Sequence, residues 1–180
     1  MTTFHTRYEI PGIVGVSCIT PTERESVLSL IEPMARVLEI GTFQGATCAY
    51  WAKARPQAAF VCVDTFMWGD GRSIETVRAA WEANRQPNMR LVVGTSADLL
   101  RNGELYDLAF IDADHSYASC RNDLSAAKRL ITPGGTICCH DYETGDPQLE
   151  GVTRAVNEYA AHSRVAILRI AESLAVMRHV

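Results

Sequence analysis

No stretch of the 180 residues approaches the roughly 20 consecutive apolar positions needed to span a bilayer, so a membrane partner is not expected. The opening Met1-Thr2-Thr3-Phe4-His5 has neither the charged nor the apolar part of a signal peptide, and the cytoplasm is the expected location. Basic runs are missing as well. Seventeen Lys and Arg stand against 21 Asp and Glu, the net charge of −4 spreads over both halves, and no basic stripe marks a nucleic-acid binder. Repeats, low-complexity tracts and interdomain linkers are also lacking, and this length suits one domain with a substantial core. The six cysteines, Cys18, Cys48, Cys62, Cys120, Cys138 and Cys139, are scattered and mostly sit in apolar runs, where a reduced thiol acts as a small hydrophobe. Adjacent Cys138 and Cys139 would face opposite sides of a strand.

What is present is an alternation of short apolar runs with longer segments of helical period, the pattern of a parallel sheet flanked by helices. Strands are predicted at Arg36 to Ile40, Ala59 to Asp64, Arg90 to Val93, Leu108 to Asp112 and Thr136 to His140. They are rich in Val, Ile, Leu, Phe and Cys without polar alternation, as strands covered on both faces should be. Helices fit at Pro21 to Glu32, Ala46 to Ala54, Ser73 to Asn84, Ser96 to Arg101, Tyr117 to Leu130 and Gly151 to Ala161. Thr20 and Ser116 stand where N-caps belong, and Pro21 occupies a first turn that needs no N–H. The tail reads as two strands, Arg164 to Ile170 and Leu174 to Met177, joined by a connection short enough for an antiparallel hairpin. The fold expected is a single doubly wound α/β sheet of seven strands, mostly parallel, with an antiparallel C-terminal strand and helices on both faces.

The first of these strands, Val37-Leu38-Glu39-Ile40, runs straight into Gly41-Thr42-Phe43-Gln44-Gly45 and a helix. This places a glycine bend at a carboxyl strand end, where open α/β sheets bind ligands. Gly41 and Gly45 would let the backbone approach a ligand closely; a plain tight turn is the bland reading. Asp64 closes the next strand about 20 residues on, where a carboxylate can accept from both ribose hydroxyls or simply face solvent. Gly94-Thr95-Ser96-Ala97-Asp98 is a small polar turn able to meet an adenine edge.

Leu38 to Gly45 resembles the first motif of class I S-adenosylmethionine-dependent methyltransferases, in particular the catechol and caffeoyl-CoA O-methyltransferase-like branch. Val63-Asp64, Phe110-Ile111-Asp112-Ala113-Asp114-His115 and Leu130-Ile131-Thr132-Pro133-Gly134-Gly135 follow in that family's order, and the tail hairpin matches the end of its Rossmann-like sheet. The resemblance implies that Glu39, Gly41 and Gly45 surround the methionine part of S-adenosylmethionine, that Asp64 holds the ribose, and that Ser96 and Ala97 lie near the adenine. Asp112 is placed at the cofactor edge, and Phe43 and Trp68 are placed against the cofactor. Trp51 and Trp81, inside helices, read as structural.

Methyl transfer from a sulfonium is an in-line displacement, so the protein must align a nucleophile and make it electron-rich, by a general base or by a cation. Candidates gather at two strand ends: Asp112, Asp114 and His115, then His140 and Asp141. The resemblance matches Asp112 and Asp141 to two metal-binding acids and implies a divalent metal such as Mg2+. The pattern departs at Tyr142, where metal-dependent relatives carry Asn. Either His115 or His140 supplies the missing ligand, or the site is metal-free and one of these histidines is the catalytic base; alternatively, Asp114 and His115 only cap a helix. Substrate is expected among the Trp68 to Arg72 loop, the Tyr142 to Glu150 loop and the segment Tyr8 to Cys18. The activity expected is transfer of a methyl group to an oxygen, less favourably a nitrogen, of a small molecule, with a homodimer closing the site. An NAD-binding oxidoreductase is the competing enzyme class, although the bend lacks the G-x-G-x-x-G spacing. A cofactor-binding module without chemistry is the other competitor.

Overall fold

The computed structural model describes residues 6–67 and 71–179. A seven-stranded sheet forms the centre. In chain order it comprises β3 (Arg36–Ile40), β4 (Ala59–Asp64), β5 (Met89–Val93), β6 (Tyr106–Ile111), β7 (Ile131–Cys139), β8 (Ile167–Ala171) and β9 (Leu174–Arg178), arranged in space as β5-β4-β3-β6-β7-β9-β8. The first five are parallel, and β9 runs antiparallel to both β7 and β8. This is the mostly parallel doubly wound sheet, ended by an antiparallel strand, that the alternation of runs predicts.

Alternating strand positions feed two cores, one on each face. Leu38, Val61, Ala109, Ile137 and Cys139 pack with Leu124 of α5 (Tyr117–Leu130) and Val156 of α6 (Glu150–Ser163). Val37, Phe60, Cys62, Phe110 and Cys138 pack on the other face with Val27 of α1 (Pro21–Leu30), Trp51 of α2 (Ala46–Ala54) and Trp81 of α3 (Ile74–Asn84). Trp51 meets Phe110 edge-on at 5.1 Å between ring centroids, a favourable aromatic geometry. Both tryptophans are fully buried, as structural residues should be. Cys138 and Cys139 fall in opposite cores, and all six cysteines are free thiols.

Helix starts follow the sequence signals. Thr20 and Glu23 form a reciprocal capping box ahead of Pro21, and Ser116 caps α5 through the amide of Ser119. Several boundaries differ from expectation. The helix after β5, α4 (Ser96–Leu99), is one short turn, and α1 stops at Leu30, before Pro33. β6 ends at Ile111 and β7 at Cys139, so Asp112 and His140 lie just past their strands. Arg164 is the left-handed cap of α6 instead of the start of a strand. A two-stranded hairpin of β1 (Tyr8–Glu9) and β2 (Val16–Ser17) was not expected, because strands of two residues show no periodicity. No helix among the described residues is long and apolar enough to cross a membrane.

Candidate active site

β3 and β6 are adjacent, yet the helices that follow them, α2 and α5, pack on opposite faces, which opens a crevice beyond their carboxyl ends. The two strand ends touch there. The Asp112 amide donates to the Ile40 carbonyl at 2.9 Å, and a Cβ on Gly41 would lie 2.0 Å from the Asp112 carbonyl oxygen. Gly45 is constrained by a different neighbour: a Cβ would meet the Trp81 ring at 2.7 Å. Both glycines have positive φ, 87° and 71°. Protein atoms therefore stand where either Cβ would point, so each glycine is required by its own neighbours. Gly41 lines the cavity, whereas Gly45 lies behind it and starts α2.

The cavity measures about 1010 Å³ and spans the strand ends from Glu39 and Asp64 past Ser96 and Ala97 to Asp112, His115 and His140. Phe43 is also in its wall, with φ of 48°. Asp64 is held tightly: its two oxygens accept from the amides of Phe43 at 2.7 Å and Phe66 at 2.6 Å. One carboxylate thus pins the glycine bend to the end of the next strand, and each oxygen keeps a further lone pair. Glu39 is buried, and its Oε2 takes no hydrogen bond among the described residues. Burial lifts its pKa to about 8, opposed by a hydrogen bond with Thr42 and assisted by the charge of Asp112. Trp68 lies outside the described residues.

Beyond the bend the titratable groups form one connected cluster. His115 Nε2 lies 3.0 Å from Asp141 Oδ2 and 3.7 Å from Asp112 Oδ1. His140 Nδ1 lies 3.3 Å from Asp141 and 3.6 Å from Asp112, while its Nε2 faces Glu23 at 3.2 Å. Glu23 is itself buried; it accepts from the amide of Thr20 and from both the amide and hydroxyl of Ser173. Burial alone would neutralise every member of this set, but the opposite charges prevail. Against burial, His140 and then His115 hold Asp112 at about 2, and the same two imidazoles hold Asp141 well below the usual carboxylate range. His140, with the backbone at Thr20 and the side chain of Ser173, holds Glu23 at about 2. In the other direction, Asp112 and Asp141 raise His115 to about 10, and the same carboxylates with Glu23 raise His140 well above an ordinary imidazole.

Asp112, His115 and Asp141 offer one ligand atom each within 4.8 Å of one another, two carboxylate oxygens and one imidazole nitrogen, a donor set that suits a divalent cation. Asp141 adopts a left-handed backbone, φ 62°, directly after β7. Asp114 caps the turn before α5 by accepting from the Ser116 amide at 2.7 Å, as its bland reading held. Tyr142 corrects the sequence expectation. It turns into the core, 6% exposed, and its hydroxyl donates to Asn157, so it belongs neither to a substrate rim nor to the cluster. From the other expected rim segments, Val16 and Cys18 of the N-terminal part and Gln148 of the last loop do line the cavity. Sequence reasoning missed Glu23, which lies far along the chain from the strand ends that carry the other members.

A family model described as "Methyltransferase domain" matches residues 38–142, from β3 to the residue after Asp141. Among curated proteins, none matches the chain significantly by sequence. Among solved structures, the chain is similar to an O-methyltransferase from Bacillus cereus in complex with S-adenosylhomocysteine, at 22% identity and a TM-score of 0.66, covering 89% of this chain and 82% of that one. It is also similar to the O-methyltransferase TomG from Streptomyces achromogenes, involved in tomaymycin synthesis and solved with S-adenosylmethionine. Identity there is 20% and the TM-score 0.67, covering 90% and 81% of the two chains. At these identities the likeness speaks for the fold.

Proposed function

The chain belongs to the methyltransferase-domain family, and from that premise we propose that it moves the methyl group of S-adenosylmethionine to an oxygen nucleophile of a small molecule. The observation that carries this reading is the meeting of the glycine bend, pinned by Asp64, with the Asp112–His115–Asp141 cluster in one cavity. The fold neighbours solved with S-adenosylmethionine or S-adenosylhomocysteine support the choice of nucleoside. The competing NAD-binding reading finds no support in the family match.

In this arrangement Asp64 accepts from the ribose with its remaining lone pairs, and Glu39 offers the methionine part a buried carboxyl whose ionised form the cationic sulfonium and ammonium would favour. Ser96 and Ala97 border the adenine end. The donor chemistry fits a divalent metal held by Asp112, His115 and Asp141, with His115 standing in for the ligand that Tyr142 cannot provide. Bound there, such a cation would lower the pKa of an acceptor hydroxyl and orient it. His140 serves a different end from the proton acceptor considered from sequence. With carboxylates on both ring nitrogens, it acts as a buried cation that keeps Asp112 and Asp141 ionised and in place.

Incubation with S-adenosylmethionine, Mg2+ or Mn2+ and a panel of catechols, phenols, sugars and amines tests this, with S-adenosylhomocysteine as the product measured. Release with a hydroxyl acceptor, lost in Asp141→Asn while cofactor binding persists, is the expected result. Turnover confined to amines would contradict the oxygen assignment.

A further inference from the structure

At the adenine end of the cavity, Ala97 has no polar side chain, and the hydroxyl of Ser96 is already committed to a neighbour. Its Oγ donates to Asp123 Oδ1 at 2.6 Å. Asp123 projects from α5, half-buried, into the cavity wall, where Leu100 and Ala126 supply apolar surface. Its Oδ2 accepts no hydrogen bond among the described residues. Burial pushes its pKa up, eased by the Ser96 hydrogen bond, as expected of a carboxylate short of donors. Neighbouring Asn122 also lines the cavity but is exposed, whereas Ser96 has already fixed the orientation of Asp123, so binding through it sacrifices little side-chain freedom.

Resting on the cofactor reading above, we propose that Asp123, oriented by Ser96, accepts a hydrogen bond from the exocyclic amino group of the adenine and thereby selects a 6-amino over a 6-oxo purine. An ionised carboxylate only accepts. A 6-amino group donates to it; a 6-oxo group presents a second acceptor, and the two lone pairs face each other across a partly dry wall, a mismatch that polar sites reject strongly.

Calorimetric titration with S-adenosylhomocysteine and with its deaminated analogue S-inosylhomocysteine tests the assignment. Wild type should prefer the adenosyl compound by about tenfold or more. Asp123→Ala should lose most of that preference through weaker adenosyl binding. Asp123→Asn, whose amide also donates, should narrow or reverse it, and Ser96→Ala should fall between wild type and Asp123→Ala. An Asp123→Ala protein that melts like wild type and keeps the full preference overturns the proposal, as does a wild type that binds both compounds equally. If wild type binds neither, the methyl-donor reading itself falls and takes this inference with it.

Discussion

Glu23 of the first helix lies 3.2 Å from His140 at the end of β7, on the opposite side of the imidazole from Asp112 and Asp141. The same carboxylate caps its own helix through Thr20 and ties down Ser173 between β8 and β9. One buried side chain thus joins the N-terminal helix, the antiparallel edge of the sheet and the acidic cluster. Breaking a buried charge pair strands the partner in a low dielectric, and the cost of that usually exceeds what the intact pair contributes.

Glu23→Ala should therefore destabilise the protein by on the order of 3–5 kcal/mol, and Glu23→Gln by less, since the amide oxygen can still accept from Ser173. Denaturant unfolding measures both. Changes within about 0.5 kcal/mol of wild type, the range of ordinary surface substitutions, would show that the pair is not structural.

The acid limb of stability should carry the same signature. Glu23 has a pKa of about 2 in the folded chain against an ordinary 4.5, so the unfolded chain binds its proton more tightly. Its contribution is then complete above pH 4.5 and disappears as pH falls towards 2. Denaturation midpoints between pH 2 and 6 should fall less steeply in Glu23→Gln than in wild type, with Asp112 and Asp141 supplying the slope that remains. Identical limbs would count against the linkage.

The glycine bend should resist side chains for two separate reasons. Gly41→Ala forces a methyl against the Asp112 carbonyl, and Gly45→Ala forces one against the Trp81 ring, each at positive φ. Losses of roughly 2 kcal/mol or more are expected for both. Altered tryptophan fluorescence is expected for Gly45→Ala. A Gly41→Ala protein as stable as wild type would mean that β3 and β6 do not meet as described.

Asp64→Ala removes the acceptor for the Phe43 and Phe66 amides together with the proposed ribose contact. Affinity for S-adenosylhomocysteine should fall by on the order of 1–3 kcal/mol. Calorimetry on the folded mutant reads this directly, and unchanged affinity would remove Asp64 from the site.

The parts legible in sequence were those written in local pattern. Arg36 to Ile40 and Ala59 to Asp64 announce buried parallel strands by apolar residues without polar alternation, and the predicted bounds match those observed. Asp112, His115, His140 and Asp141 were suspected as a group because neighbouring strand ends must converge. The residues that depend on long-range packing stayed hidden. Glu23 lies 117 positions from His140, and no local pattern signals that the two meet. Tyr142 looked like a loop aromatic until its ring entered the core. Asp123 was not singled out, because nothing local signals the hydroxyl of Ser96, 27 residues away.

Calorimetric titration of the purified, folded protein with S-adenosylhomocysteine, alongside NAD, is the most direct test of whether the bend between β3 and α2 holds a methyl-donor nucleoside. One saturable site for the former and no heat with the latter is the expected outcome. Saturation by NAD with no response to S-adenosylhomocysteine would contradict it and return the cavity to a different chemistry.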